Sequence, residues 1–264
     1  MSATLEFILK RDRWAATFGL MLVIALAWGY LFAGAGMGMS ALEMTRMASD
    51  KTMDMAHPTW TFGYALLMFV MWWIMMAAMM LPGAAPVILL ATALNRKARV
   101  DHSPYGTSGF FVAGYLLVWA FFSLAATIAQ WSLTEGGLLS SMMQSTSPHF
   151  AGGLLIAAGL WQLTPIKQAC LRRCRSPVTF LTQHPRKGNA GSLAMGMEHG
   201  AYCLGCCGVL MALHFVGGVM NLHWIAGLAA YVLAEKLLPF GQQIGWATGF
   251  VLVLFGLALI TGFV

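Results

Sequence analysis

Long apolar runs separated by short polar segments dominate the chain. Seven such runs cover residues 14–34, 60–94, 108–130, 150–166, 191–219, 223–238 and 243–264. A transmembrane helix needs about 20 apolar residues to cross about 30 Å of hydrocarbon. The pattern therefore predicts an all-α, polytopic membrane helix bundle, with residues 1–264 forming a single transmembrane domain of about seven transmembrane helices. The fourth and sixth runs are short, and tilted, re-entrant or protein-buried helices stay open for them.

The composition and the distribution of charge support this class. Only 9% of the residues are charged and the mean hydropathy is +0.73, whereas a soluble domain carries roughly 25% charged residues. Thirteen of the fifteen Lys and Arg residues fall on one predicted side of the membrane, which the positive-inside rule assigns to the cytoplasm together with the N-terminus. The net charge of +6 is therefore interpreted as setting the topology, and no nucleic-acid partner is expected.

The densest chemistry falls in one apolar stretch, Met195 to Met220. Three of the five cysteines lie within five positions of it. Read as one helix at about 100° per residue, the stretch brings its sulfur and imidazole groups onto an arc of about 160°, namely Met195, Cys206, His199, Cys203, His214, Cys207 and Met211. Thiolate, thioether and imidazole together favour Cu(I), with Zn(II) as the alternative. Packing alone is the competing interpretation, since Cys and Met are also ordinary core residues.

The second span is similarly rich in methionine. It contains Met68, Met71, Met75, Met76, Met79 and Met80. The last three are candidate ligands, because the midpoints of the second and central stretches, near Met79 and Gly205, fall at similar depths in the bilayer. Pro82 and Pro86 predict a break or a kink beside them, which is tolerated where the freed carbonyls face protein or a cavity. The pattern predicts that the two spans touch.

Polar segments at both ends add further candidates. Residues 35–59 form a predicted Met-rich outer loop that contains Met37, Met39, Met44, Met47, Met53, Met55 and His57. Exposed thioethers bury little surface, so this loop is interpreted as an outer capture site, with a helical Met face lying on the membrane as the alternative.

Residues 167–190 form a predicted basic cytoplasmic loop with a Cys pair, Cys170 and Cys174. Neighbouring arginines favour the thiolate, which indicates a Cu(I) hand-over point or a redox pair; two structural cysteines are the alternative.

Three ionisable residues lie within or beside predicted spans, where such groups are costly and often functional. Glu198 falls near the cytoplasmic end of the central span, where an interfacial or helix-pairing role is equally expected. Glu235 and Lys236 fall near the inner interface, where long side chains reach water at little cost. Either is expected to pair with Glu198 or with an arginine of the inner loop. The third span, aromatic and apolar, is interpreted as scaffold.

Four segments resemble one known family. They are Trp72-Trp-Ile-Met-Met-Ala-Ala-Met-Met-Leu-Pro82, Thr164-Pro-Ile-Lys-Gln-Ala-Cys-Leu-Arg-Arg-Cys-Arg-Ser-Pro177, Glu198-His-Gly-Ala-Tyr-Cys-Leu-Gly-Cys-Cys207 and Glu235-Lys236. Together they are similar to the bacterial predicted metal-binding integral membrane proteins, a domain of unknown function, over roughly residues 60–240. The resemblance implies metal binding in a multi-pass protein of the bacterial inner membrane. The family often has a Trp after the double cysteine, whereas this chain has Gly208, which removes a bulky lid from the thiols. A weaker similarity, over a few residues, is to copper-handling proteins of cytochrome biogenesis.

The leading hypothesis is a non-enzymatic membrane protein that binds Cu(I) for transport or delivery, with a copper chaperone or a membrane complex as partner. No nucleotide-binding loop is present in the sequence. The predicted metal ligands are Cys203, Cys206, Cys207, His199, Met76, Met79, Met80, Cys170, Cys174 and His214. A membrane thiol–disulfide oxidoreductase using Cys203-x-x-Cys206 is the second hypothesis. The third is a non-catalytic assembly or scaffold subunit whose sulfur atoms serve packing.

Overall fold

The computed structural model describes residues 3–49, 59–100, 108–183, 186 and 188–263. In these ranges the chain is helical, in the order α1 Ala3–Phe32, α2 Ala41–Ser49, α3 Phe62–Val100, α4 Ser108–Glu135, α5 Pro148–Leu163, α6 Pro165–Arg175, α7 Pro177–Gln183, α8 Gly188–Met211, α9 His214–Gly217, α10 Leu222–Leu237 and α11 Gly241–Ile260. The predicted all-α class is confirmed for this part of the chain.

Four segments of the described chain are long and apolar enough to cross a membrane. They are Phe62–Ala93, Ser108–Glu135, Gly188–Gly217 and Gly241–Ile260, and a shorter apolar helix covers Ala16–Phe32. Helices α5 and α10 coincide with the fourth and sixth predicted spans, but each has 16 residues, fewer than the roughly 20 that a span needs. The chain thus has the character of a membrane protein, while seven spans and a cytoplasmic N-terminus stay predictions.

The structure refines three local expectations from the sequence. Helix α3 continues through Pro82 and Pro86, so the predicted break does not occur. Helix α8 ends at Met211, where the backbone bonds tighten to three-residue spacing, as in Ala212 N–H to Val209 O. Much of the predicted basic cytoplasmic loop, residues 167–190, is helical and belongs to α6 and α7, while its position on the cytoplasmic side stays a prediction. Thr164 caps α6 by accepting a bond from the Lys167 amide, and a proline at the first position fits a helix start.

Glycines let α4 and α8 approach each other closely. A Cβ at Gly196 would lie 2.0 Å from the carbonyl oxygen of Phe111, and one at Gly114 would lie 2.1 Å from that of Leu193. Such small-residue contacts are how membrane helices pack without a hydrophobic driving force. The close contact brings Tyr115 of α4 against the cysteine-bearing side of α8.

Helices α5 and α11 form a second glycine-mediated pair. A Cβ at Gly249 would lie 3.0 Å from the carbonyl oxygen of Gly159, and one at Gly256 would lie 2.7 Å from that of Gly152. The opposite side of α11 leaves large apolar side chains exposed, Phe250 and Leu254 among them. That exposed side suits contact with lipid.

The bundle has two chemically different ends. We call the end formed by residues 33–49, 136–147 and 212–221 the methionine end, and the end formed by α6 and α7 the basic end. Helix α8 has 24 residues, about 36 Å at 1.5 Å per residue, and connects the two ends. The methionines and cysteines between them belong to one continuous buried core.

Candidate metal centre

Helix α8 presents three thiols to the core from its C-terminal half. Cys203, Cys206 and Cys207 are each at most 1% exposed. The Cys206 and Cys207 thiols both donate to the carbonyl oxygen of Cys203, at 3.1 and 2.9 Å, because residues three and four apart share one side of a helix. These local bonds hold the two side chains in the same orientation.

Helix α6 adds the remaining cysteines to the same place. Cys174 Sγ lies 3.9 Å from Cys206 Sγ, and Cys174 also interacts with Cys203. Cys170 is half-buried and packs against Gly205, where a Cβ would come within 2.7 Å of its sulfur. All five cysteines are free thiols. We call Cys174, Cys203, Cys206 and Cys207 the thiol cluster; the sequence had suggested two separate groups of thiols.

Helix α3 reaches the thiol cluster through Met80. The Met80 sulfur lies 3.5 Å from Cys207 Sγ, so the predicted contact between the second and central spans is present. Met76 and Met79 are also buried, at 0% and 2% exposure, in the same core.

Two polar side chains touch the Cys203 sulfur. Lys236 Nζ of α10 lies 3.0 Å from Cys203 Sγ and 4.0 Å from Met80 Sδ. The Tyr115 hydroxyl lies 3.1 Å from the same thiol and 3.3 Å from the carbonyl oxygen of Met80. The lysine stem passes directly over Gly83, where a Cβ would lie 2.9 Å from Lys236 Cδ. Gly83 therefore makes room for an ammonium group among the sulfur atoms.

His199 lies one helical turn from Cys203, towards the basic end. Its ring is 2% exposed and packs against Phe111, Tyr115 and Phe180. Within the described residues its Nδ1 has no hydrogen-bond partner. An imidazole nitrogen without a hydrogen-bond partner beside a thiol cluster is available as a metal ligand. Aromatic packing also accounts for the burial of the ring.

His214 does not share the face of α8 on which the sequence placed it, because α8 ends before it. Its Nδ1 is 2.8 Å from the carbonyl oxygen of Met211 and its ring packs against Trp72. Trp72 precedes Met80 by eight residues, about 12 Å along α3. The structure therefore puts His214 nearer the methionine end, and its Nε2 is another buried atom without a partner among the described residues.

A buried ion pair holds α10 in register. Glu235 accepts from Lys167 and, at 2.8 Å, from the Tyr231 hydroxyl, and both ionic side chains are almost fully buried. The expectation that Glu235 or Lys236 pairs with Glu198 or an arginine is wrong, while their depth near the inner interface stays a prediction. Glu198 pairs instead with Arg186 at 3.2 Å, a residue that precedes α8 and lies outside the helices, so the expected helix-pairing role of Glu198 stays a prediction. Because Glu235 is fixed towards α6, its neighbour Lys236 faces the thiol cluster.

The site combines soft ligands with a fixed positive charge. Among the described residues, no three His, Cys, Asp or Glu side chains form a complete metal-binding group in this arrangement. Lys236 Nζ stands where a cation would contact Cys203 and Met80. The geometry therefore corresponds to a sulfur site in which the ammonium supplies the positive charge.

Sequence reasoning missed Tyr115 and the role of Lys236. Tyr115 lay in a span interpreted as scaffold, and a lone hydroxyl in an aromatic helix gives little signal. Lys236 did give a signal, since an ionisable group within an apolar stretch is rare. The absence of a Trp at position 208 was expected to leave the thiols uncovered. Leu204 fills that space, because a Cβ at Gly208 would lie 2.7 Å from Leu204 Cδ1.

Comparison with known proteins places the chain in a functional context. A family model described as PpoB2, copper chaperone, matches residues 69–259, a range that includes α4 to α10 and every residue of the thiol cluster. No curated protein and no solved structure matches the chain.

Proposed function

Because the chain belongs to the PpoB2 copper chaperone family, which matches it over residues 69–259, we propose that the thiol cluster binds Cu(I) as cargo inside the membrane and passes it to a partner. The observation that carries this proposal is the convergence of four buried thiols with the Met80 thioether, and the contact of Lys236 Nζ with Cys203 and Met80. Apolar packing alone gives no reason to hold an ammonium against these sulfur atoms.

The ligand chemistry favours copper over zinc. Thiolate and thioether sulfur select Cu(I), whereas thioethers contribute little to zinc sites, which are built from thiolate, imidazole and carboxylate. Met80 is the thioether that contacts the cluster, and the family description also names copper. Cu(I) with two or three sulfur ligands is therefore the proposed cargo form.

The spacing of the sulfur atoms suits a trigonal ion. At a metal–sulfur bond length of about 2.3 Å, two ligands of a trigonal site lie about 4.0 Å apart. Cys174 and Cys206 are 3.9 Å apart, and Cys207 and Met80 are 3.5 Å apart. Small side-chain movements would open the second pair to the required distance once Lys236 withdraws from Cys203.

Lys236 gives the site its charge balance. Two thiolates and one Cu(I) carry a net negative charge, which is very unfavourable in a low-dielectric interior without a counter-ion. The ammonium 3.0 Å from Cys203 Sγ provides that counter-ion before the metal arrives. In the copper-bound form the same charge would neutralise the copper–thiolate group from the second coordination sphere.

Cys170 is the proposed exit ligand. It is the half-buried cysteine beside an otherwise buried cluster, and α6 continues from it into Arg172, Arg173 and Arg175. Ligand exchange from the buried Cys174 to the half-buried Cys170, both on α6, would bring the ion towards the surface without releasing it. The arginines would attract a partner with an acidic surface.

The two other hypotheses explain less. A thiol–disulfide oxidoreductase needs a thiol pair that its redox partner can reach, whereas Cys203, Cys206 and Cys207 are at most 1% exposed. A scaffold role gives no function to Lys236 or to the Met80 thioether that contacts Cys207. Copper binding uses all of these groups.

The coordination of bound copper tests the proposal. The purified protein, loaded with less than one equivalent of Cu(I) under reducing conditions, is expected to show a sulfur-only first shell at about 2.3 Å by X-ray absorption. Cys206→Ser should lower both the sulfur number and the affinity, by at least about tenfold. Met21→Leu, an exposed position of α1, serves as the control and should change neither. A first shell of nitrogen or oxygen in the wild type would refute the thiol cluster as the binding site.

A further inference from the structure

A second concentration of sulfur lies at the methionine end, outside the thiol cluster. A cavity of about 370 Å³ is lined by six methionines from separate segments of the chain, Met37, Met39, Met44, Met142, Met143 and Met220. They come from the connection after α1, from α2, from the α4–α5 connection and from the turn before α10. We call this space the methionine cavity.

The walls of the methionine cavity are held by specific backbone contacts. Met143 has a φ of 57°, a left-handed conformation that non-glycine residues rarely adopt and that persists only where the surroundings impose it. Its amide donates to Ser140 O at 2.9 Å, and the Ser145 amide donates to Phe215 O at 2.8 Å. The loop that carries Met142 and Met143 is thereby fixed to the turn that follows α8.

The opposite wall is fixed in the same way. Gly34, with a φ of 88°, passes so close to Met39 that a Cβ would lie 1.6 Å from the Met39 carbonyl oxygen. The Thr45 hydroxyl accepts from the Leu222 amide at 2.9 Å and so ties α2 to α10. Met44 and Met220, adjacent to these ties, are 3% and 2% exposed. A flexible packing region would not need such constraints on the backbone.

The chemistry of the lining selects a narrow class of ligand. The remaining lining residues are Gly36, Tyr64, Leu67 and Ser141, so no carboxylate, imidazole, thiol, amine or guanidinium group lines the described cavity. Neutral thioethers bind soft monovalent cations and discriminate against Mg²⁺, Ca²⁺ and Zn²⁺, which require oxygen, nitrogen or thiolate donors. Thioethers also remain ligands under oxidising conditions that would join thiols into disulfides.

An acidic side chain stands beside this lining. Glu43 precedes Met44 and accepts from both the amide and the hydroxyl of Ser40, at 2.8 Å each. These bonds form the capping arrangement of α2 and fix the carboxylate next to Met44. A carboxylate at this position raises the local concentration of cations.

Buried methionines connect the methionine cavity with the thiol cluster. Tyr64 and Leu67 of α3 line the cavity, and the next turns of the same helix carry Met68, Met71, Met75, Met76, Met79 and Met80, all at most 2% exposed. The distance from Met68 to Met80 is about 18 Å along the helix. Met80 ends this series in contact with Cys207.

We propose that the methionine cavity is a second, thioether-only site for Cu(I) or Ag(I), which receives the ion before it passes to the thiol cluster. The proposal rests on the proposed function for the identity of the cargo, but the site itself requires no thiol. It assigns a binding role to Met142, Met143 and Met220 together with the described part of the Met-rich segment. Met53, Met55 and His57 of that segment lie outside the described residues.

Silver binding to the thiol-free site tests this proposal. Ag(I) replaces Cu(I) as a redox-stable probe, and the full-length variant in which all five cysteines are replaced by serine removes every thiol of the chain. This variant is expected to keep about one bound Ag(I) per chain by calorimetry, and adding Met44→Leu and Met220→Leu should abolish it. Leucine conserves volume and removes only the sulfur. The matched control adds Met21→Leu and Met197→Leu, two exposed methionines, and should keep the ion.

A second measurement uses wild-type protein and therefore does not depend on whether the variants fold. In wild-type protein labelled at the methionine methyl groups, Ag(I) should shift the NMR signals of Met44, Met143 and Met220, with Met21 unchanged. No retained Ag(I) in the thiol-free variant together with unshifted signals would overturn the methionine site while leaving the thiol cluster intact. Retained Ag(I) that is insensitive to the Met44→Leu and Met220→Leu changes would overturn it as well. Copper bound with nitrogen or oxygen ligands would instead refute the thiol cluster.

Discussion

At the scale of single residues, Lys236 decides what the thiol cluster can bind. Its ammonium is buried, at 7% exposure, and contacts Cys203 and Met80. A buried cation is retained only where its charge is used, because removing a charge from water is very costly. The arrangement suits an anionic copper–thiolate group and disfavours a neutral one.

Replacing Lys236 by methionine is predicted to weaken Cu(I) binding. Leaving one buried charge without its partner costs about 3–5 kcal/mol, so Lys236→Met should raise the Kd for Cu(I) by roughly a hundredfold or more. Competition with a chromogenic Cu(I) chelator measures the effect. Arg186→Met is the control, since it removes a cation from an exposed ion pair with Glu198 and should change the Kd by less than about threefold. Equal effects of the two substitutions would contradict the role of Lys236.

The residue types at the site could be predicted from sequence, but their grouping could not. Cys203, Cys206 and Cys207 share a helix, so helical periodicity alone brings them together. Cys174 joins them because α6 turns back against α8, a tertiary contact that no local spacing encodes. Tyr115 and Lys236 likewise come from α4 and α10, and only the packing of those helices brings them to Cys203.

At the scale of helices, the glycine contacts between α4 and α8 set the position of the site. Gly196 allows the backbone of α8 to approach Phe111, and Tyr115 one turn further along α4 then reaches Cys203. The sequence predicted the spans and one contact between them, that of the second with the central span, but not the pairing of α4 with α8. A run of apolar residues specifies a helix, whereas the helix it packs against depends on small residues whose effect appears only in three dimensions.

Gly196→Ala is predicted to separate α4 from α8. A Cβ would lie 2.0 Å from the Phe111 carbonyl oxygen, so the helices must shift, at a cost of about 1–3 kcal/mol. Thermal unfolding in detergent should show a lower Tm, and Cu(I) affinity should fall because Tyr115 moves from Cys203. Gly227→Ala is the matched control, since nothing lies within 4 Å of that position in α10 and alanine favours a helix by about 1 kcal/mol. A Tm for Gly196→Ala equal to that of Gly227→Ala would contradict the role of this contact.

At the scale of the whole molecule, sulfur runs from one end of the bundle to the other. The methionine cavity lies at one end, the buried methionines of α3 follow, and the thiol cluster and Cys170 lead to the basic end. The sequence predicted this order from the spans and their basic flanks. The prediction of seven spans depends on α5 and α10, whose 16 residues each are short for a crossing, and membrane orientation depends on the charge rule alone.

The copper content of the purified protein tests the central claim most directly. Wild type and the Cys203/Cys206/Cys207→Ser variant are loaded with Cu(I) under reducing conditions, freed of excess metal and compared by elemental mass spectrometry, with folding matched by circular dichroism. The thiol cluster predicts that the variant carries about one copper ion per chain fewer than the wild type. Equal copper in both proteins, or none in the wild type, would contradict a copper site at these thiols.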